Sequence, residues 1–146
     1  MKKIVLILMM IVGLNSVAGA KDTVTRDSSV LPQAARTAIA NNFKSKVSLI
    51  NVEKTLGAVS EFEVILSDGS EITFDKNGNW KEVDVPRGKA VPAGFIPAGV
   101  KDYVQQNHKG QKVESIDKDR QGYDVELSNG IDLKFDKDGK FLRYDN

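Results

Sequence analysis

Cysteine is absent from this sequence, and histidine occurs only once. The lack of cysteine excludes disulfide scaffolds, thiol nucleophiles and cysteine zinc sites together. Neither charge dominates, because 21 basic residues face 20 acidic ones and the formal net charge is +1. This balance gives no electrostatic reason to expect a nucleic-acid partner. At 146 residues, the chain is also too short for a dinucleotide-binding enzyme with a second domain or for a (β/α)₈ barrel.

The one long hydrophobic run lies at the start of the chain. Lys2 and Lys3 precede an apolar stretch over residues 4–14, and Ala18-Gly19-Ala20 follows it. This order of basic, apolar and small residues predicts a secretory signal peptide over residues 1–20. The stretch is roughly half the ~20 residues that usually span a bilayer, so we expect no membrane span after cleavage. The mature chain would have a net charge of −1 and would be periplasmic or secreted.

The remaining sequence resembles itself at an offset of 61 residues. Residues 62–69 match residues 123–130, and residues 72–80 match residues 133–141. Self-similarity at a fixed spacing is typical of a duplicated structural unit. We therefore predict a first repeat within residues 21–84, a connector over residues 85–95 and a second repeat over residues 96–146.

Each unit opens with a helical pattern and continues with strands. Leu31, Ala35 and Ile39 recur every four residues, which predicts an amphipathic helix. Four strand candidates follow in each unit, and the turn between the middle two sets their register. A three-residue loop over residues 67–69 pairs Val64 with Ile72 and Phe62 with Phe74, so that apolar residues share one face. The predicted fold class is α+β, with two tandem repeats of one helix plus a four-stranded antiparallel meander, combined in one curved sheet with the helices on one face.

No constellation of residues points to catalysis. The lone His108 has no second histidine or cysteine with which to form a metal or nucleophile site, and a structural role is expected. We therefore predict a protein that is not an enzyme and needs no cofactor. The turns over residues 75–79 and 136–140 resemble the start of a calcium-binding loop, but their glycine comes too early for that pattern and hairpin chemistry explains their residues completely. A calcium or small-molecule binder that uses these turns is the alternative function, and no metal ligand is assigned.

The outward sheet face is the candidate partner-binding surface. Its charges are interrupted by apolar groups, and such mixed surfaces suit protein recognition. The residues assigned to it are Ile65, Glu71, Lys81, Val83, Glu126, Asp132, Lys134, Leu142 and Tyr144. Alternatively, its apolar members pack against the connector or against residues 21–29.

A family resemblance rests on the leucine–proline start of the helix and on the motif that runs from Phe62 to Trp80. With both repeats present from about residue 28 to residue 145, the chain resembles the PepSY-like family of exported bacterial proteins, which is similar to the β-lactamase inhibitor protein. The resemblance implies a helix and a four-stranded sheet per repeat. It also implies a binding module of the cell envelope that regulates or inhibits an exported enzyme such as a peptidase.

Overall fold

The computed structural model describes residues 22–145, so the predicted signal peptide lies outside the described residues. Strands make up most of its regular structure. The elements in chain order are β1 (Thr23–Thr25), α1 (Gln33–Asn42), β2 (Val47–Thr55), β3 (Ala58–Leu66), β4 (Glu71–Asp75), β5 (Trp80–Asp84), α2 (Ala98–Asn107), β6 (Val113–Lys118), β7 (Gly122–Leu127), β8 (Asp132–Asp136) and β9 (Phe141–Asp145). Single 3₁₀ turns at Ser28–Val30 and Ala93–Phe95 precede the two helices.

All nine strands form one antiparallel sheet in sequential order. The prediction of two units, each with a helix and a four-stranded meander, is therefore wrong. β5 pairs directly with β6 through Val83 and Ile116, so the boundary between the similar sequences is not a boundary in the sheet. A further strand that the sequence did not predict, β1, pairs with β2. Backbone hydrogen bonds form between neighbouring strands whether or not the two strands belong to the same sequence repeat, so the free edge of β5 pairs with β6.

The predicted register within the hairpins is confirmed. Val64 pairs with Ile72 and Phe62 with Phe74, and the equivalent pair of the second half is Val125 with Leu133. Gly78 illustrates how the next turn is made, because its φ of +87° suits a left-handed position that glycine adopts readily. Local turn chemistry therefore sets the register of these strands.

Both helices cover the same face of the sheet. Ala35 and Ile39 of α1, together with Val100 and Val104 of α2, lie in one core with the buried strand residues. Burial alternates along β3 and β4, as expected for strands with one covered face. The other face carries no helix among residues 22–145. None of the helices described in this range is long and apolar enough to cross a membrane.

Candidate functional site

The uncovered side of the sheet forms a wide, open groove of about 860 Å³. We call this groove the open face. Eleven carboxylates line it, on seven strands and in the β6–β7 turn, and only two cationic side chains do so. The carboxylates are Glu61, Glu63, Glu71, Glu82, Asp84, Asp117, Asp119, Asp124, Glu126, Asp132 and Asp145, and the cations are Lys81 and Lys118. The surface is thus strongly acidic in a chain whose overall charge is close to neutral.

Four of the residues predicted for partner binding lie in this groove. Glu71, Lys81, Glu126 and Asp132 all line it. They come from four different strands, and they lie on the same side of the sheet because alternate residues of a strand point to the same face. Whether they bind a partner stays a prediction.

Two further predicted residues sit beside the groove residues in the sheet register. Ile65 pairs with Glu71 and is half-buried. Lys134 pairs with Asp124, and its Nζ lies 3.3 Å from Asp124 Oδ1. This ion pair offsets part of the negative charge at the β7–β8 end of the open face.

Val83 does not lie on the outward face as predicted, because it is fully buried in the core. A register shift separates the pair Phe74–Trp80 from the pair Thr73–Glu82, so β5 contains a bulge. The extra residue reverses the alternation beyond it, so Val83 faces the covered side while Glu82 lines the open face. The sequence prediction carried a strict period of two through this bulge.

The same shift occurs in β9 and changes the position of Tyr144. Tyr144 pairs with Leu133, a buried core residue, and its ring packs against His108 and Phe141. It therefore lies on the helix side rather than on the open face. Its hydroxyl lies 3.4 Å from His108 Nε2, at hydrogen-bond distance, so the single histidine has a structural partner. Leu142, at the bulge, is half exposed.

An acidic cluster at one end of the sheet was missed by the sequence analysis. Carboxylate oxygens of Glu53, Glu61 and Glu63 all lie within 4.8 Å of one another. Burial and the neighbouring charges of Glu63 and Glu61 raise the pKa of Glu53 to about 7. The register of the β2–β3 hairpin was the missing signal, because it sets Glu53 directly opposite Glu61.

Two side chains moderate the charge of this glutamate cluster. Lys81 Nζ lies 2.7 Å from Glu61 Oε2, and this hydrogen bond raises the pKa of the lysine. Asn51 Nδ2 donates to Glu63 Oε2 at 3.1 Å. The Oδ1 atom of Asn51 is buried and has no hydrogen-bond partner within residues 22–145. An amide oxygen and nearby carboxylates are the ligand types that calcium takes.

The turn carboxylates, by contrast, are engaged in hairpin structure. Asp75 Oδ1 accepts from the backbone N–H groups of Asn77 and Asn79, and Asp136 Oδ1 accepts the equivalent pair from Asp138 and Lys140. Burial acts to raise the pKa of Asp75, but hydrogen bonds from Asn79 and its neighbours outweigh it and hold the pKa below the usual value. Turn formation thus accounts for the motif that resembled a calcium loop.

The tip of the β2–β3 hairpin lies close in sequence to the glutamate cluster. Leu56 is completely exposed there and has a φ of +52°. A bulky residue in the left-handed region is uncommon and is strained by of order 1 kcal/mol. Leu56 and Gly57 form the two-residue turn between the paired residues Thr55 and Ala58, and such a turn requires a positive φ at both positions, so the hairpin itself accounts for this conformation.

Comparisons with known proteins relate this chain to one family. A sequence profile described as "putative beta-lactamase-inhibitor-like, PepSY-like" matches residues 60–143. No match is found among curated proteins.

Solved structures from Bacteroides resemble the whole described fold. A "putative periplasmic protein of unknown function" from Bacteroides vulgatus is 39% identical with a TM-score of 0.80, and the match covers 86% of this chain and all of the other. A "putative calcium-regulated periplasmic protein" from Bacteroides thetaiotaomicron is 37% identical with a TM-score of 0.78, over 86% of this chain and 97% of the other. A second Bacteroides vulgatus protein, from the DUF2874 family, is 34% identical with a TM-score of 0.77 over the same shares. The predicted location, periplasmic or secreted, is confirmed.

Proposed function

The chain belongs to the PepSY-like family, and we propose that it acts in the periplasm as a non-catalytic binding protein whose open face takes a basic segment of a partner protein. The observation that carries this proposal is the excess of eleven carboxylates over two lysines in one groove. A surface of one charge attracts the opposite charge and disfavours partners of the same charge. An exported enzyme that is regulated or inhibited through a lysine- or arginine-rich surface is the partner class that fits.

Electrostatic repulsion among the carboxylates of the open face supports a role in binding rather than in folding. Burial and the charges of Asp84 and Glu63 raise the pKa of Glu71, so the crowded carboxylates destabilise one another. A cationic partner relieves this repulsion. Ile65, which pairs with Glu71, adds an apolar side chain to this side of the sheet, and protein interfaces commonly combine charged and apolar groups.

The proposal is tested with a lysine decapeptide as the probe, measured by fluorescence anisotropy. The variant D84N/D132N removes two carboxylates from the open face and is expected to weaken binding by about fivefold. Binding should also weaken as salt is raised, because exposed charges are screened.

The matched control is D102N/D138N, which removes two exposed aspartates that do not line the open face. It should bind the peptide as tightly as the wild type. The same three proteins are then used as bait in periplasmic extract, where a partner of the open face is captured by the wild type and by the control alone. Equal losses in both variants would contradict the proposal, since binding would then follow net charge rather than this surface.

Calcium binding at the glutamate cluster is a second candidate function. The Bacteroides thetaiotaomicron protein is described as calcium-regulated, and Glu53, Glu61 and Glu63 bring their oxygens within 4.8 Å of one another. Three carboxylates and the unpaired oxygen of Asn51 would supply hard oxygen ligands. Bound calcium would also neutralise part of the open face and so weaken its attraction for a basic partner.

Calorimetric titration with calcium separates the cluster from the turns. We expect the wild type and D75N to bind calcium, and E53Q/E63Q to lose binding by tenfold or more, about 1.4 kcal/mol. Loss of binding in D75N with none in E53Q/E63Q would assign calcium to the turn instead. Absence of binding to the wild type at millimolar calcium would reject this candidate.

A further inference from the structure

A second groove, of about 360 Å³, lies beside α1. It is bounded by the segment between β1 and α1, by α1, by the α1–β2 loop and by the start of β2. None of its lining residues lines the open face. We call it the α1 groove, and it is lined by Arg26, Ser28, Leu31, Arg36, Ile39, Ala40, Phe43, Ser45, Lys46 and Val47.

The floor of the α1 groove is apolar. Leu31 and Ile39 are almost fully buried beneath it, and Phe43 and Val47 are partly buried members of the same core. An apolar surface with a few polar groups at its edge, in a volume of about 300–1,000 Å³, is the common composition of small-molecule sites. The α1 groove falls within this range.

The rim of the α1 groove is cationic. Arg26 and Lys46, in the loops before and after α1, and Arg36 of α1 are exposed, and no carboxylate lines the groove. Within residues 22–145, none of these three side chains forms an ion pair, whereas Lys81 and Lys134 of the opposite side do. The nearest acid in sequence, Asp27, is directed to the backbone of Ser29.

We propose that the α1 groove binds a single-chain anionic amphiphile of the fatty-acid class, with its carboxylate held by the three cations and its tail on the apolar floor. One opposing contribution is the C-terminus of α1 near Asn42, which carries a partial negative charge of about half an electron. Three full positive charges outweigh it. Charge-assisted hydrogen bonds from arginine suit a carboxylate head because the planar guanidinium can donate two parallel bonds.

The test uses three probes and amide chemical shifts of ¹⁵N-labelled protein. Decanoate has both head and tail, decyl maltoside has the same tail with an uncharged head, and acetate has the head alone. Decanoate is expected to shift amides of residues 26–47 and to bind about tenfold more tightly than either other probe. Equal binding of decyl maltoside would overturn the proposal, because the cations would then contribute nothing.

Two charge-matched variants complete the test. R26Q/R36Q/K46Q should lose about tenfold in decanoate affinity, while K76Q/K101Q/K137Q removes the same charge from exposed positions outside the groove and should bind normally. An equal loss in both variants would overturn the proposal. Flotation with phosphatidylglycerol vesicles distinguishes a free amphiphile from a membrane surface. Recruitment to vesicles without saturable decanoate binding would also count against the α1 groove.

Discussion

The two faces of the sheet are built from the same strands, yet they follow different rules. Along β3, Phe62 and Val64 are buried on the covered face, while Glu61 and Glu63, which alternate with them, line the open face. Burial requires apolar residues on the covered face, because it must pack against α1 and α2. No such requirement acts on the open face, where burial and the charges of Asp84 and Glu63 raise the pKa of Glu71. The comparison teaches that the covered face specifies the fold and the open face is available for function.

The largest loss of stability is expected at Val83, which the sequence placed on the outward face but which is buried in the core. Val83→Lys places a charge in the core and should lower the free energy of unfolding by about 5 kcal/mol. Ile65→Lys, on the open side, should cost about 1 kcal/mol or less. Urea denaturation of both variants measures the difference. Similar costs at the two sites would mean that the bulge in β5 does not reverse the faces.

A slightly smaller loss is expected from a cavity in the covered face. Phe74 is fully buried, so Phe74→Ala should lower the free energy of unfolding by about 4 kcal/mol. Thr73→Ala changes the adjacent residue on the open face and should stay within about 0.5 kcal/mol. The same denaturation experiment compares them, and comparable losses would contradict the assignment of one packed and one uncovered face.

The smallest effect concerns pH and the glutamate cluster. Because the pKa of Glu53 is raised from 4.5 to about 7, the unfolded chain releases this proton at a lower pH than the folded protein does. The free energy of unfolding should therefore fall as pH rises from 4.5 to about 7, by about 1 kcal/mol or less at so accessible a site.

Thermal unfolding at pH 5 and pH 8 checks this pH dependence. Glu53→Gln should reduce the difference in Tm between the two pH values, and Glu126→Gln, outside the cluster, should leave it unchanged. If the Tm of the wild type and that of Glu53→Gln change by the same amount between the two pH values, protonation of Glu53 contributes nothing and the expected effect is refuted.

Local pairing was predictable from the sequence, because apolar residues must share a face and glycine marks the left-handed turn position. The pairs Phe62–Phe74 and Tyr123–Phe135 follow from those two rules. The global arrangement of the strands was not predictable. The sequence repeat suggested two units, and nothing in it revealed that β5 would pair with β6 or that β1 would extend the sheet.

The candidate site was predicted only where the period of two holds. Glu71, Lys81, Glu126 and Asp132 were assigned correctly to the open side. Val83 was misplaced because a bulge has no clear signature in a five-residue strand. The glutamate cluster depends on the register of the long β2–β3 hairpin, whose pairing contains irregularities that the sequence does not reveal.

The central claim is that the open face, and not the helix side, takes a basic partner. Amide chemical shifts of ¹⁵N-labelled protein during titration with a lysine decapeptide test it most directly. The account predicts saturable shifts on β3 to β9 at residues that line the open face, with α1 and α2 unchanged, and an affinity about fivefold weaker in D84N/D132N. Shifts centred on the helices, or an affinity that D84N/D132N leaves unchanged, would contradict it.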